Sequence, residues 1–178
     1  SDVCSSDLPI TSLFVSPLER CMATIEPWLV KYGSQVAVHS DARIIEPDYG
    51  HWSGRKLDEL ALDPLWNSVQ NNPQEVTFPS GERFVDVWER VKSFFETIKE
   101  IASGQENILV VSHGDIIKFL IAQIVKLEFQ NFQTLSVEPA SISIAILSKE
   151  TSKLVQFNRS EESIAQVISK IDRKSTRL

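Results

Sequence analysis

The apolar positions of the chain alternate between short continuous runs, typical of buried strands, and longer stretches with helical spacing. The run from Asn107 to Val111 predicts a buried strand, and the apolar spacing that follows predicts a helix beginning at Gly114. His113 then lies on the turn between them. The free backbone N–H groups and the positive dipole end of that helix would face any ligand beside His113, which predicts an anion-binding turn.

A second strand-to-helix unit is predicted near the start of the chain. Thr11 to Val15 has the apolar pattern of a short buried strand. Ser16 is predicted to be the N-cap of a helix that has Pro17 at its first position and Glu19 at its third, the capping-box arrangement. The helix is expected to end at Gly33.

The rest of the pattern predicts a strand at Val36 to Val38, a helical segment around Leu57 to Gln70, a helix from Phe84 to Ile101 closed by Gly104, and hairpin strands at Ser141 to Leu147 and Leu154 to Phe157. Strands that alternate with helices favour an α/β fold, here a three-layer α/β/α sandwich with a mainly parallel central sheet. Ligands bind such sheets outside the carboxyl ends of the strands. Arg20 and His113 are therefore expected at the same edge of the sheet.

Composition narrows the class of protein. With 178 residues and 42% apolar residues, the chain fits one domain with an ordinary core. No apolar run is long enough to span a bilayer, so a soluble protein without a membrane partner is predicted. The net charge of −6, with dispersed Lys and Arg, argues against a nucleic-acid partner. Cys4 and Cys21 are too few for a disulfide framework, which favours a reducing, cytoplasmic location.

Both ends differ from the rest of the chain. Residues 1–8 have neither an initiator Met nor the regions of a signal peptide, and residues 173–178 form a basic polar tail. Both resemble translated sequencing-adapter DNA, and the alternative is an ordinary disordered tail at each end. We expect residues 9–160 to form one domain, residues 161–172 to form a helix, and the natural protein to begin upstream of Pro9.

Four motifs occur in order along the chain: Ser16-Pro17-Leu18-Glu19-Arg20, the segment from Glu46 to Gly54, Ser80-Gly81-Glu82, and Val111-Ser112-His113-Gly114. In order and spacing they resemble the histidine phosphatase superfamily, the phosphoglycerate-mutase-like proteins, and most of all a bacterial branch of phosphatases or phosphomutases. The resemblance covers about Thr11 to Asn158. It implies a phosphoglycerate-mutase-like fold and a small phosphorylated substrate, and it leaves the oligomeric state open.

The resemblance also implies roles for individual residues. Arg20 would bind phosphate, and His113 would contact the transferring phosphoryl group, best as a cation. Glu46, or Asp48 close to it, would protonate the leaving oxygen and then activate water. Further pocket residues would be Ser16, Gly114 and Glu82, although Glu82 is equally explained as a charge that favours the start of a helix. The scheme requires no metal and no cofactor.

The nucleophile of the family is a His in an Arg-His-Gly motif at the end of the first strand, and this motif is absent from the sequence. The resemblance therefore implies that the chain lacks the first strand and helix of the fold. Our hypothesis is that the full-length protein works through a phosphohistidine and that this chain is inactive. The alternative is a module that binds phosphate without catalysis.

Two further histidines are expected to have no catalytic role. His39 is expected to be a surface or structural residue. His51 is expected to be a plain loop residue, and the alternative is that it helps to line the pocket. A metal hydrolase built from these two residues with His113 and Asp115 is disfavoured, because nothing places three of them at the spacing of known metal ligands. Trp52, in the Gly-rich loop, is predicted to shape the entrance of the pocket.

Overall fold

A computed structural model of the protein describes residues 10–102 and 106–160. Within these ranges the strands are β1 (Ser12–Val15), β2 (Ala37–Ser40), β3 (Ile108–Val111), β4 (Ile142–Leu147) and β5 (Ser152–Arg159). The helices are α1 (Glu19–Tyr32), α2 (Leu57–Leu60), α3 (Pro64–Asn71), α4 (Phe84–Ala102) and α5 (Gly114–Val125). Residues 1–9, 103–105 and 161–178, including the predicted C-terminal helix and Gly104, lie outside the described ranges.

The strands form two sheets in the described part of the chain. One has the order β2-β1-β3 with all strands parallel, and the other is the antiparallel hairpin β4-β5. Val15, the last residue of β1, is in register with Ser40 of β2 and Val111 of β3. The carboxyl ends of these three strands therefore meet at one edge, as predicted for Arg20 and His113.

Helices cover both faces of the parallel sheet. On one face, Cys21 and Ile25 of α1 pack with Leu13 and Val15 of β1. On the other face, α4 and α5 form the larger core, and α4 contributes an apolar stripe at helical spacing: Phe84, Val87, Val91, Phe94, Phe95 and Ile98. The predicted α/β/α arrangement with a parallel sheet is confirmed.

The start of α1 differs from the prediction. The helix begins at Glu19 rather than at Pro17, and its N-cap is Leu18, which makes no side-chain cap hydrogen bond. The predicted capping box with Ser16 as the cap is therefore wrong. The hydroxyl of Ser16 accepts a long hydrogen bond from Leu18 N at 3.4 Å and lies 2.7 Å from Nε2 of His113, a long-range partner across the sheet edge.

Two other boundaries also differ. The segment predicted as one helix over Leu57 to Gln70 contains two helices, because the side chain of Asp63 accepts a hydrogen bond from Leu65 N and Pro64 starts α3. The strand predicted at Val36 to Val38 lies slightly later, as β2. By contrast, the end of α1 at Gly33 and the β4-β5 hairpin are confirmed.

Two loops next to the sheet edge pack backbone against backbone. His51 N donates to Pro79 O at 2.9 Å, and Glu82 N donates to Asp48 O at 2.8 Å. A Cβ on Gly81 would lie 2.2 Å from Asp48 O, and a Cβ on Gly50 would lie 2.1 Å from Pro79 O. Glycine at both positions allows this close approach. The contact fixes the loop that carries Glu46 against the rest of the fold.

Candidate active site

The candidate site lies at the carboxyl ends of β1 and β3. Ser16 N donates to Val111 O at 3.0 Å, which holds the two strand ends side by side. His113 is the N-cap of α5, so the helix begins at Gly114 as predicted. Apart from its chain neighbours and the backbone of its own helix, no heavy atom of the described chain lies within 4 Å of where a Cβ on Gly114 would be. The start of this helix therefore borders open space, with free N–H groups that suit an anion.

His113 is buried, with 6% of its surface exposed. Its Nε2 lies 2.7 Å from Ser16 Oγ and 3.5 Å from Cys21 Sγ. Burial, followed by the positive charges of Arg20 and Arg90, lowers the pKa of His113 from 6.5 to about 4. The imidazole is therefore neutral at pH 7 in the protein without ligand. This differs from the expectation of a cationic His113.

Arg20 and Glu46 form an ion pair between Arg20 Nη2 and Glu46 Oε2. The other carboxylate oxygen of Glu46 lies 3.7 Å from Nδ1 of His113, which is too long for a hydrogen bond but close enough for contact. Arg20 is 55% exposed at its side chain, so its guanidinium is accessible from solvent. An Arg, a carboxylate and an imidazole thus meet at the sheet edge where the sequence placed them.

Glu82 makes different contacts from the other candidate residues. Its carboxylate accepts hydrogen bonds from Asp48 N at 2.8 Å and from the guanidinium of Arg90, whose Nη1 also donates to Arg43 O at 2.7 Å. No hydrogen bond or ion pair among the described residues joins Glu82 to Arg20, Glu46 or His113. Glu82 therefore holds the loop that bears Glu46 in place, together with Arg90.

The sequence reasoning missed a hydrogen bond that connects the Glu46 loop to α5. The hydroxyl of Tyr49 donates to Asp115 Oδ2 at 2.8 Å, and Asp115 also pairs with Lys118 at 3.2 Å. Burial, with the adjacent Asp115 charge, raises the pKa of Tyr49, so the hydroxyl stays a donor. Tyr49 lies three residues after Glu46 in the loop motif, and this short spacing was the feature of the sequence that could have indicated a role for Tyr49 near the site.

Cys21 was also missed as a site residue. It was predicted to be a small buried helix residue, and it is buried, but its thiol faces His113 and Ser16 as well. Burial raises the pKa of this thiol, so it stays protonated. Cys21 therefore contributes to the low-polarity surroundings that keep His113 neutral. Its position directly after Arg20, in the first turn of α1, was the signal.

The remaining histidines lie elsewhere. His39 is exposed on β2 and stacks on Phe14 at a ring distance of 5.0 Å, and His51 is exposed in its loop. Trp52, predicted at the pocket entrance, is instead 5% exposed and packs on Trp66 in the core. Within residues 10–102 and 106–160, no three His, Cys, Asp or Glu residues are grouped so that they could hold a metal ion.

The arrangement of the site suits an anionic oxygen ligand. Arg20 offers the planar donor fork that matches phosphate oxygens, and the start of α5 adds backbone N–H donors beside His113. Glu46 supplies a carboxyl group next to both.

None of the helices in the described residues is long and apolar enough to cross a membrane.

Comparison with known proteins extends these observations. Residues 4–160 match the model of the histidine phosphatase superfamily, branch 1. Phosphoserine phosphatase 1 of Hydrogenobacter thermophilus is 24% identical over 148 residues, which cover 82% of this chain and 69% of that protein.

Two similar solved structures agree in fold. The α-ribazole phosphatase of Shigella flexneri has a TM-score of 0.72 at 23% identity, covering 89% of this chain and 78% of that one. A mycobacterial glucosyl-3-phosphoglycerate phosphatase in complex with inorganic phosphate has a TM-score of 0.67 at 23% identity, covering 90% and 80%. The chain therefore belongs to the histidine phosphatase superfamily.

Proposed function

We propose that the chain carries the phosphate-binding part of a metal-independent phosphatase or phosphomutase that acts on a small phosphorylated metabolite. The observation that supports this most is the meeting of Arg20, Glu46 and His113 at the carboxyl ends of two parallel strands. Such edges are where α/β sheets bind ligands. The resemblance of the sequence motifs to those of phosphatases supports the same conclusion.

In this proposal each residue has a separate task. Arg20 exchanges part of its ion pair with Glu46 for two phosphate oxygens, and the N–H groups from Gly114 onward bind a third. A bound phosphate, through its negative charge, raises the pKa of His113 and draws a proton onto the imidazole. Ser16 orients that imidazole through the 2.7 Å contact. Glu46 is the carboxyl group that protonates the leaving oxygen.

The attacking histidine of the proposed phosphohistidine step is not among these 178 residues, because the sequence has no Arg-His-Gly motif. His113 is a poor substitute, since it is buried and its Nε2 is already in contact with Ser16. We therefore expect binding of phosphate without turnover in this chain. The same observation supports the second candidate function, a phosphate-binding module without catalysis.

A phosphate titration tests the binding part of the proposal. Inorganic phosphate is titrated into the protein by calorimetry, with Arg20→Ala and the matched surface variant Arg83→Ala, whose side chain is 58% exposed and pairs with Asp86. Loss of charge-assisted hydrogen bonds of about 1.5 to 3 kcal/mol each predicts at least ~tenfold weaker binding for Arg20→Ala alone. Equal binding by both variants and the wild type would contradict the site.

An activity assay tests the remaining parts. With p-nitrophenyl phosphate we expect no turnover above background for the chain alone. Turnover by the chain without any added nucleophile would contradict the proposal that the attacking histidine lies outside these 178 residues. If a longer chain that contains the Arg-His-Gly motif loses its activity in EDTA, the metal-free assignment is wrong.

We also propose a reducing compartment, the cytoplasm, because the buried Cys21 is a free thiol.

A further inference from the structure

The two ring nitrogens of His113 have different surroundings. Nε2 lies 2.7 Å from Ser16 Oγ and 3.5 Å from Cys21 Sγ, and all three side chains are buried. The sulfur is farther from Nδ1, at 4.0 Å. Nδ1 lies 3.7 Å from Glu46 Oε1, next to the ion pair of Glu46 with Arg20. Nε2 therefore faces a closed cluster of Ser16 and Cys21, whereas Nδ1 faces the candidate site.

The hydrogen bonds of Ser16 indicate where the neutral imidazole carries its proton. Ser16 Oγ accepts a long hydrogen bond from Leu18 N at 3.4 Å, so the single hydroxyl proton can be donated to Nε2 of His113. An accepting Nε2 leaves the ring proton on Nδ1, where the carboxylate of Glu46 attracts it. The neutral ring then presents Nδ1–H to the site.

A proton added to this imidazole must reverse the hydrogen bond with Ser16. An imidazolium carries an N–H group on both nitrogens, so Nε2 becomes a donor and Ser16 Oγ must accept from it. The hydroxyl proton of Ser16 then needs another acceptor. Leu18 N cannot serve, because it is itself a donor. In the described part of the chain, Cys21 is the other side chain within hydrogen-bonding distance of Nε2.

The sulfur of Cys21 is suited to this second role. Burial raises the pKa of the thiol, and a hydrogen bond with Ser16 acts in the opposite direction, so the hydroxyl and the sulfur are within reach of each other. The thiol stays protonated, and a thiol sulfur is a weak hydrogen-bond acceptor. The hydroxyl can therefore turn from Nε2 to Sγ while the imidazole keeps its position.

We propose that Cys21 is a positioning residue for His113, whose sulfur accepts the Ser16 hydroxyl when Nε2 takes up a proton. The added proton comes from solvent and resides on Nε2, while the proton on Nδ1 remains and points to the candidate site. Ser16 is a donor to the neutral ring and an acceptor for the cationic ring. Cys21 makes this reversal possible without an unpaired hydroxyl in a buried cluster.

The charged groups around His113 set the background for this proton uptake. Arg20 of α1 and Arg90 of α4 oppose a cationic imidazole, and Glu46 favours one. Cys21 adds no charge, because its thiol is protonated. The reversal involves only groups of this chain. Its use in phosphate binding rests on the proposed function, in which the bound anion draws a proton onto the imidazole.

A nitrogen-15 NMR titration of His113 without ligand tests the reversal. The ring shifts report which nitrogen carries the proton at pH 7, where we expect Nδ1, and how much imidazolium is present at pH 4.5. The pKa of about 4 predicts a measurable minority of imidazolium at pH 4.5 in the wild type. Loss of one hydrogen bond from the cationic state should reduce that fraction by about threefold or more.

Variants at position 21 separate the acceptor from the packing. Cys21→Val fills the space without an acceptor and should show the threefold reduction, and Cys21→Ala removes the same acceptor if valine is too large to fold. Cys21→Ser retains an acceptor and should keep the wild-type fraction. Ile25→Val trims the same buried face of α1 and should also match the wild type. Equal fractions in all variants, or a ring proton on Nε2 at pH 7, would overturn the proposal.

Calorimetry with inorganic phosphate separates this proposal from the proposed function. Titration in two buffers of different ionisation enthalpy counts the protons taken up on binding, and the wild type and Cys21→Ser should take up more than Cys21→Val. If the wild type binds no phosphate while the NMR titration still distinguishes Cys21→Val from Cys21→Ser, the proposed function is rejected and the role of Cys21 stands. Phosphate binding with equal proton uptake in all variants would support the function and overturn the role of Cys21.

Discussion

At the scale of single residues, the burial of His113 couples the stability of the protein to pH. The pKa of its imidazole is lowered to about 4 in the folded protein, so the unfolded chain binds the proton more readily as the pH falls below 6.5. The stability that the neutral imidazole contributes is complete above pH 6.5 and is lost as the pH falls toward 4. Between pH 7 and pH 5 this amounts to a loss on the order of 2 kcal/mol.

Urea denaturation at several pH values checks this prediction. His113→Gln keeps a hydrogen-bonding side chain opposite Ser16 but cannot titrate, so its stability should change little over this range. His39→Gln removes an exposed histidine and should keep the wild-type pH dependence. The paired carboxyl of Asp41, whose pKa is lowered by Arg43, affects only a more acidic range. A wild-type curve that is flat from pH 7 to pH 5 would refute the prediction.

The sequence predicted where the site residues lie better than it predicted which groups their side chains contact. Arg20 and His113 could be placed from the sequence because each lies near the junction between an apolar strand and the helix that follows it. The role of Ser16 could not, since a serine before a proline fits an N-cap equally well, and the choice depends on a histidine 97 residues away. Glu82 has the same ambiguity, and its contacts with Arg90 and Asp48 N depend on how two loops pack.

At the scale of elements, the contact between the two loops that flank the site depends on glycine, which has no side chain, at position 81. We predict that Gly81→Ala lowers the free energy of unfolding by about 2 kcal/mol or more, because its Cβ would lie 2.2 Å from Asp48 O and 2.7 Å from Gly50 N. Both atoms belong to backbone, so one loop must move. One of these two loops carries Glu46.

Gly114→Ala is the matched control, because its added methyl group would meet no atom within 4 Å outside its chain neighbours and the backbone of its own helix. It should leave the denaturation midpoint unchanged or slightly higher, since alanine favours the first turn of a helix over glycine. Chemical denaturation of both variants measures the difference. If the two midpoints agree with that of the wild type, the close approach of the loops is not a feature of the folded protein.

The elements themselves followed from periodicity where the apolar pattern was long. The stripe of α4 and the run of β3 predicted their elements to within a few residues, because burial on one or both faces leaves a strong signal. Periodicity failed between Leu57 and Gln70, where the cap of Asp63 and the ring of Pro64 end one helix and begin another. These local groups outweigh an apolar spacing that continues across them.

At the scale of the whole molecule, the candidate site is assembled from parts that are far apart in sequence. Arg20 follows β1, Glu46 lies in a loop beyond β2, and His113 follows β3, so the parallel register of the sheet, together with the hydrogen bonds of Asp48 and Tyr49, brings them together. The fold class was predictable because strand and helix patterns alternate. The separation of β4-β5 from the parallel sheet was not, since each strand pattern is compatible with several partners.

The last prediction concerns a longer chain that contains the proposed Arg-His-Gly motif. In that chain, Arg20→Ala and His113→Ala should each reduce turnover of p-nitrophenyl phosphate by about a hundredfold or more, because each removes a group that balances the charge of the transferring phosphoryl. His39→Ala should retain full turnover, since His39 is exposed on β2 and stacks on Phe14.

The three variants separate loss of chemistry from loss of fold when their denaturation midpoints are measured alongside turnover. For Arg20→Ala the fold should persist, because the side chain is more than half exposed and its hydrogen-bonded partner Glu46 is also accessible to solvent. Its turnover should therefore fall without a matching change in stability. Equal turnover in all three variants would mean that the sheet edge between β1 and β3 binds no substrate, and that the superfamily fold of this chain uses a different surface.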